Sequence, residues 1–230
     1  NIMNIAIIPA RGGSKRIPKK NIKTFHGKPI IAYSIEAALR ADIFEQVIVS
    51  TDCEEIAKVA KKYGAKVPFI RPASISDDDT PTASVISHSI EWYSENEQTP
   101  DSICCIYATA PFLQPKYLRK GYDLLQQNNC TSSFSVTTYA FPIARSLMLD
   151  KAGYVKMVSP KYEWTRSQDL PERYHDAGQF YWLDVQTFIQ DPRLYSNKSI
   201  PVVIPRYLVQ DIDTEEDWIQ AEKMFLALDL

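Results

Sequence analysis

The sequence predicts an α/β fold in which helices cover both faces of a mostly parallel, Rossmann-like sheet. Short apolar runs alternate along the chain with longer segments that have helical periodicity. Most of these runs are apolar at nearly every position, which is typical of strands that are buried on both faces. A regular alternation of strand and helix builds a three-layer domain with the sheet in the middle.

The individual elements follow from this pattern. Strands are predicted at 5–8, 46–50, 66–70, 102–107, 132–138, 179–183 and 200–204. Helices are predicted at 29–39, from Thr51 and Asp52 as N-caps to residue 62, and at 82–93, 115–127 and 214–228. Thr214 and Asp217 form a variant of the capping box at the start of the last helix.

Composition limits the possible classes of protein. The 230 residues, 45% hydrophobic and 23% charged, predict a single domain over 1–230. A net charge of -2 argues against nucleic acid or a membrane surface as partner, and no apolar run approaches the roughly 18 residues of a membrane span. The four cysteines lack the spacing of a zinc site and are interpreted as free thiols of a cytoplasmic protein.

Residues 139–175 depart from the pattern. They are rich in tyrosine, proline and charge, and their hydrophobic periodicity is weak. We predict that this segment leaves the sheet as a hairpin or arm and that the chain returns to the sheet afterwards.

The loop after the first predicted strand carries an unusual concentration of positive charge. Residues 7–21 read IIPARGGSKRIPKKN, and two of the chain's 7 glycines lie in this stretch. Its cationic residues are Arg11, Lys15, Arg16, Lys19 and Lys20. Ligands bind beyond the carboxyl ends of parallel strands, and glycine lets backbone N–H groups approach an anion closely. The loop therefore predicts a polyphosphate cradle, although it fits neither phosphate-binding fingerprint and a solvated basic loop is the alternative.

This loop and five further segments resemble the sialic-acid-type cytidylyltransferases, which include the CMP-acylneuraminate synthetases. The segments are VIVSTD at 47–52, RPASISDDDTPTASV at 71–85, YATAPFL at 107–113, TRSQDLPERYHDAGQFYW at 165–182 and QDIDTEEDW at 210–218. The segments YATAPFL and TRSQDLPERYHDAGQFYW look most like the branch of the family that activates pseudaminic acid. The resemblance covers nearly the whole chain and implies a GT-A-like nucleotidyltransferase sheet.

The resemblance implies that nucleotide is bound by the basic loop and by the segment from Arg71 to Thr82. The residues carried over are Ala10, Arg11, Gly12, Gly13, Ser14, Asn21, Arg71, Thr80 and Thr82. Asp52 matches a strand-end acid of the family but is equally suited to cap a helix. Asp77, Asp78 and Asp79 are interpreted as turn and helix-cap residues, and Thr82 is also a potential N-cap.

An acidic nine-carbon sugar would need a cation for its carboxylate and polar side chains for its other groups. The candidate sugar-binding residues are Tyr107, Arg166, Gln168, Tyr174 and His175. Tyr107 stands where acylneuraminate enzymes usually carry glutamine, which argues against neuraminic acid as the substrate. The residues of the late segment are alternatively a dimer arm, because arginine and aromatic residues are enriched at interfaces, and the family uses this region for both purposes. A structural role for His175 is favoured over a catalytic one.

Asp211 and Asp213 are candidate Mg²⁺ ligands near the end of the chain. Residues two apart in an extended segment point to the same side, and two facing carboxylates are unfavourable unless a cation lies between them. Mg²⁺ prefers such oxygen ligands together with phosphates and water. The alternative is a structural role at the acidic start of the last helix.

The resemblance therefore implies an enzyme that joins CTP to a nonulosonic acid and releases pyrophosphate, for surface or flagellar glycan synthesis. Arg11, Lys15 and Lys20 would neutralise the pyrophosphate, while Asp211 and Asp213 would hold Mg²⁺. CMP-pseudaminic acid is the expected product, CMP-acylneuraminate is the alternative, and a non-catalytic nucleotide-sugar sensor is the distant one. The resemblance also implies a homodimer formed through residues 139–175.

Overall fold

The structure, a computed structural model, describes residues 2–229. The strands are β1 (Asn4–Pro9), β2 (Thr24–Phe25), β3 (Lys28–Pro29), β4 (Gln46–Ser50), β5 (Ser102–Ile106), β6 (Ser132–Thr138), β7 (Leu147–Leu149), β8 (Val155–Met157), β9 (Tyr174–Asp184) and β10 (Ser199–Val203). The helices are α1 (Ile30–Ala41), α2 (Glu54–Lys62), α3 (Thr82–Asn96), α4 (Pro115–Gln127), α5 (Val185–Gln190) and α6 (Glu215–Leu228).

Six strands form the central sheet in the order β10-β6-β9-β5-β1-β4. Strand β1 pairs in parallel with β4 and β5, and β10 pairs in parallel with β6, which confirms the predicted α/β class. Strand β9 is antiparallel to both of its neighbours. The chain reaches β9 from β6 through the irregular segment rather than through a crossover helix, so that it can run in the opposite direction.

The two faces of the sheet are both buried, as the unbroken apolar runs predicted. Along β1, Ile5 and Ile7 pack into one hydrophobic cluster, with α3 and α5, whereas Ala6 and Ile8 pack into the cluster on the opposite face. Alternation of side chains along a strand divides its residues between two layers in this way. Hydrophobic cores on both faces therefore hold the sheet, and with it the carboxyl ends of its strands, in place.

Two local predictions are wrong. The segment 66–70 is not a strand, because only Lys66 forms a bridge, with Ile48, and Pro68 lacks the N–H that would continue the ladder. Helix α2 has Cys53 as its N-cap, and neither Thr51 nor Asp52 precedes the helix directly. The capping box of α6 is confirmed, with Thr214 and Asp217 bonded reciprocally.

Residues 139–173 leave the sheet and contain the antiparallel hairpin β7–β8, which confirms the predicted excursion. The excursion is slightly shorter than predicted, since Tyr174 and His175 already belong to β9 and pair with Thr138 and Thr137. Among residues 2–229, every helix is too short or too polar to cross a membrane.

Candidate active site

A cleft of about 250 Å³ opens at the carboxyl edge of the sheet, where β1 and β5 end. Its walls combine the basic loop after β1, the segment before α3, the residues after β5 and one residue before α6. The residues that line it are Pro9, Arg11, Ser14, Lys15, Arg16, Ile17, Lys20, Asn21, Arg71, Asp77, Asp78, Thr80, Thr82, Val85, Tyr107, Ala108, Thr109 and Asp213. The cleft therefore unites the predicted phosphate, nucleotide and metal segments, which lie far apart in the sequence.

The start of the basic loop is fastened to the end of β4. The buried Ala10 donates its N–H to the Ser50 carbonyl at 2.9 Å, and Gly12 donates its N–H to Asp52 Oδ1 at 2.8 Å. Asp52 is thus a loop anchor and not the predicted helix cap. A Cβ on Gly12 would lie 2.9 Å from the Cβ of Cys53, so the close packing of the loop on Cys53 requires glycine.

The end of the basic loop is fastened toward the acidic pair. Buried Asn21 donates from Nδ2 to the Arg11 carbonyl at 3.1 Å, which closes the loop on itself. Lys20 donates from Nζ to the Ile212 carbonyl at 2.8 Å, and its Nζ lies 3.7 Å from Asp213 Oδ1. The Lys20 side chain therefore connects the end of the basic loop to the segment that carries Asp211 and Asp213.

Arg71 is a charged residue buried beneath one wall of the cleft, with only 4% of its surface exposed. Its Nη2 donates to the Ser50 carbonyl at 3.2 Å and its Nη1 to the Ile75 carbonyl at 3.1 Å. Burial lowers the pKa of the guanidinium, while the nearby Asp52 raises it. Its Nε is buried and has no hydrogen-bond partner among the described residues.

The three aspartates of the segment before α3 have different roles. Asp77 Oδ1 accepts from Asp79 N at 3.1 Å and from Thr80 Oγ1 at 2.6 Å, which confirms the predicted turn. The predicted helix-cap role is wrong for Asp77, Asp78, Asp79 and Thr82, because the N-cap of α3 is Pro81. Asp78 instead forms ion pairs with two cations of the basic loop, as described below.

Asp213 lines the cleft beside the basic loop, whereas Asp211 lies outside the cleft lining but near enough for the two carboxylates to interact. Asp213 Oδ1 is 3.1 Å from Arg16 Nη2, and its backbone N–H donates to Asp217 Oδ2 at 3.0 Å. The Asp211 carboxylate packs on Gly178, where a Cβ would lie 3.4 Å from Oδ1 and where φ is +65°. Partial burial and then the charge of Asp213 raise the pKa of Asp211, as expected for facing carboxylates.

The donor set fits a hard cation that also binds substrate. Two carboxylates supply anionic oxygen, which Mg²⁺ prefers, and their mutual repulsion would be relieved by a cation. Within residues 2–229, no three side chains of His, Cys, Asp or Glu gather into a metal site. Phosphate oxygens and water would therefore have to complete the coordination.

The predicted sugar-binding residues do not gather in one place. Tyr107 lines the cleft, and burial raises the pKa of its hydroxyl to about 12. Gln168 lines a separate cavity between the excursion and β6, together with Arg173 and Arg206. Arg166, Tyr174 and His175 do not line the cleft of their own chain.

Each of these three residues has a local environment of its own. Arg166 is exposed and precedes a 3₁₀ turn. Tyr174 donates its hydroxyl to Glu172 Oε2 at 2.8 Å. His175 lies with Nδ1 2.8 Å from the Asp176 carbonyl, and its ring contacts Tyr139. A structural role for His175 agrees with these contacts.

Sequence reasoning missed a chain of contacts behind Tyr107. The ring of Tyr107 lies 5.5 Å from that of Tyr181, and the Tyr181 hydroxyl donates to Asp176 Oδ2. Asp176 Oδ1 also accepts from the N–H of Gly178, beside Asp211. Strand β9 thereby connects Tyr107, which lines the cleft, to Asp211, and the period-two spacing of Asp176 and Gly178 is a local signal of this connection.

Comparison with known proteins agrees with this geometry. The family model described as "Cytidylyltransferase" matches residues 5–223. Pseudaminic acid cytidylyltransferase of Campylobacter jejuni is 45% identical over 214 residues, which are 93% of this chain and 92% of that protein. CMP-N,N'-diacetyllegionaminic acid synthase of Legionella pneumophila is 30% identical over 227 residues, 96% of this chain and 95% of that protein.

A solved structure shares the fold. CMP:2-keto-3-deoxy-manno-octonic acid synthetase in complex with CTP superimposes with a TM-score of 0.70 at 17% identity, over 99% of this chain and 100% of that one. At this identity the likeness concerns the sheet and its helices, which supports the predicted α/β fold.

Proposed function

The chain belongs to the cytidylyltransferase family, and we propose that it transfers the CMP group of CTP to pseudaminic acid and releases pyrophosphate. The Campylobacter jejuni relative, matched along nearly its full length, is named for this reaction. The proposal depends mainly on the cleft, which brings the cationic loop, Arg71, Thr80, Thr82 and the carboxylate of Asp213 together.

The triphosphate of CTP is assigned to the basic loop. Arg11 and Lys15 lie on the wall of the cleft and can neutralise the two terminal phosphates. Lys20, which contacts the Ile212 carbonyl and Asp213, is assigned together with Arg11 and Lys15 to neutralise the pyrophosphate as it leaves. The cytosine ring is assigned to the wall formed by Arg71 and the start of α3, where Thr80 and Thr82 also line the cleft.

The reaction is a single displacement at the α-phosphorus. The anomeric oxygen of the sugar bonds to that phosphorus, the bond to the bridging oxygen breaks, and the hydroxyl proton is released as pyrophosphate departs. No side chain forms a covalent intermediate in this scheme. The protein contributes orientation and fixed positive charge, which stabilise the charge that develops on the leaving group.

Asp211 and Asp213 are assigned as the ligands of Mg²⁺. When bound, the ion would supply positive charge that lowers the pKa of the attacking hydroxyl and stabilises the α-phosphate. Arg16 and Lys20, which pair with Asp213 in the structure, then become available to phosphate oxygens.

The sugar pocket is assigned to Tyr107 together with residues from a second copy of the chain. Arg166 and Gln168 lie on the excursion and outside the cleft of their own chain. Large apolar side chains on this segment face solvent, including Trp164 at 89% exposure and Leu149 at 68%. Such a surface favours a homodimer in which the excursion covers the partner and brings Arg166 and Gln168 toward the partner's cleft.

A substrate panel tests the proposed reaction. The purified protein is mixed with Mg²⁺ and either CTP or UTP, and with either pseudaminic acid or N-acetylneuraminic acid, and pyrophosphate release is followed. We expect turnover with CTP and pseudaminic acid, and mass spectrometry should detect the CMP-sugar. A higher kcat/KM with N-acetylneuraminic acid would overturn the choice of sugar. Binding of CTP without turnover of any sugar would overturn the assignment of the reaction.

A further inference from the structure

One carboxylate in the candidate phosphate site points at the same cations that the triphosphate needs. Asp78 forms ion pairs with both Arg11 and Lys15 across the cleft. Lys15 and Arg11 lower the pKa of this carboxyl, so that Asp78 is anionic at neutral pH. A carboxylate and a phosphate oxygen are both anionic acceptors, and arginine binds either in the same fork geometry.

The segment that carries Asp78 is held in place on both sides. Arg71 fixes its beginning through the carbonyls of Ser50 and Ile75. Asp77 closes a turn by accepting from the Asp79 N–H and the Thr80 hydroxyl. Within residues 2–229, Asp79 forms no ion pair, although it neighbours Asp78 in the same turn. The turn therefore presents one aspartate of three to the basic loop.

We propose that Asp78 is a built-in counterion that competes with the β- and γ-phosphates for Arg11 and Lys15, and thereby assists the release of pyrophosphate. CTP displaces Asp78 when it binds, because it brings several negative charges and additional contacts through its nucleoside. After the reaction, pyrophosphate is no longer attached to the nucleoside and so is no longer held by the contacts between the nucleoside and the protein. Asp78 then returns to the two cations and replaces the phosphate oxygens.

This inference rests on the proposed function, since it assumes that the terminal phosphates lie on Arg11 and Lys15. It predicts an asymmetry among ligands. Inorganic pyrophosphate and CTP compete with Asp78 and should gain affinity when its charge is removed. CMP lacks the terminal phosphates and should gain little.

Calorimetric titration with inorganic pyrophosphate, in buffer free of divalent cations, tests the proposal. The variant is Asp78→Asn, and the matched control is Asp79→Asn, which removes the same charge from the same turn. Because Asp78→Asn removes a charge that competes for both cations, we expect its Kd to be roughly threefold to tenfold lower than that of Asp79→Asn. Asp78→Glu, which keeps the charge, should stay within about twofold of the wild type.

Turnover assays complete the test. Pyrophosphate should inhibit Asp78→Asn more strongly than Asp79→Asn, by the same factor, while the Kd of CMP stays unchanged. Equal or weaker pyrophosphate binding by Asp78→Asn, relative to the control, would overturn the inference even if the wild type makes CMP-sugar. A wild type that neither binds pyrophosphate nor turns over would overturn the proposed function as well. Circular dichroism monitors folding. If Asp78→Asn does not fold, Asp78→Ser replaces it, and its Kd for pyrophosphate is compared with that of Asp79→Asn in the same way.

Discussion

At the scale of single residues, Arg71 connects the stability of the cleft to the nucleotide that it is proposed to bind. The guanidinium bonds to two backbone carbonyls on different segments and is nearly inaccessible to solvent. Lysine has a single terminal nitrogen and cannot reproduce this fork.

We predict that Arg71→Lys weakens CTP binding by about tenfold, corresponding to one lost hydrogen bond to a charged group of ~1.5 kcal/mol. Isothermal titration with CTP measures the effect, and Arg40→Lys on the exposed end of α1 is the control. An unchanged Kd for CTP in the Arg71 variant would remove this residue from the nucleotide site.

A second prediction concerns Asp211. Asp211→Asn should abolish pyrophosphate release but leave CTP binding nearly intact, because Mg²⁺ matters most in the transition state whereas the basic loop holds the triphosphate in the ground state. Asp123→Asn, on the solvent side of α4, is the control. Normal turnover of Asp211→Asn would argue against the proposed metal ligand.

The same variant carries a prediction for stability. Because the pKa of Asp211 is raised in the folded protein, the folded state binds this proton more tightly than the unfolded state. Ionisation of Asp211 therefore lowers the free energy of unfolding as pH rises past the ordinary carboxyl range. In metal-free buffer at pH 7, Asp211→Asn should melt at the same temperature as the wild type or higher, and at pH 3 the two should converge. A lower melting temperature at pH 7 would indicate a structural role for the carboxylate.

The roles of two aspartates show where residue-level prediction reaches its limit. Asp52 contacts a residue 40 positions away, and Asp78 contacts one 67 positions away. Both lie a few residues before a helix, so local rules assigned them to caps. Only the packed sheet decides which distant N–H or cation each carboxylate meets.

At the scale of elements, the capping box of α6 orients the segment that carries the acidic pair. Thr214 Oγ1 accepts from the Asp217 N–H at 3.2 Å, and Asp217 Oδ2 accepts from the N–H groups of Thr214 and Asp213. The cap therefore fixes the backbone of a proposed metal ligand as well as the start of the helix.

Thr214→Ala should lower the free energy of unfolding by about 1 kcal/mol, the usual contribution of such a cap. Urea denaturation measures the change, and Thr24→Ala on the exposed side of β2 is the control. We also expect a reduced kcat, because without the Thr214 hydroxyl the Asp217 carboxylate is held less firmly for its hydrogen bond to the Asp213 N–H. A midpoint of denaturation equal to that of the control would contradict this role.

Elements that are encoded by signals within their own segment were predictable from the sequence. Elements that form only because a neighbouring strand pairs with them were not. Strand β6 and helices α4 and α6 follow the sequence pattern closely, since periodicity and caps are encoded within each segment. Strand β9 extends far beyond its predicted start, to Tyr174. Its polar first residues become a strand because β6 offers a partner, which no pattern within the segment reveals.

At the scale of the whole molecule, the excursion gives the chain a surface that a single copy leaves uncovered. Leu149 on β7 and Val155 on β8 are paired neighbours and both face solvent. The sequence predicted that this segment leaves the sheet, because its periodicity is weak. The sequence could not predict that its sugar-binding candidates lie outside the cleft of their own chain.

We predict that Leu149→Lys converts the proposed dimer into a monomer and lowers kcat/KM for the sugar, while the Kd for CTP stays unchanged. Leu226→Lys on α6 is the matched control, since Leu226 is exposed to a similar extent, at 71%. Light scattering after size exclusion gives the mass. A wild type that is monomeric at the concentrations of the assay, yet fully active, would remove the excursion from the sugar site.

The cleft that is lined by the basic loop, Arg71 and Asp213 is proposed to bind CTP for transfer. A crystal structure of the protein with CTP tests this proposal most directly. We expect the terminal phosphates to contact Arg11 and Lys15 in place of Asp78, the cytosine to lie beside Arg71 and Thr82, and the α-phosphate to face Asp211 and Asp213. A triphosphate bound elsewhere, with Asp78 still paired to both cations, would contradict it.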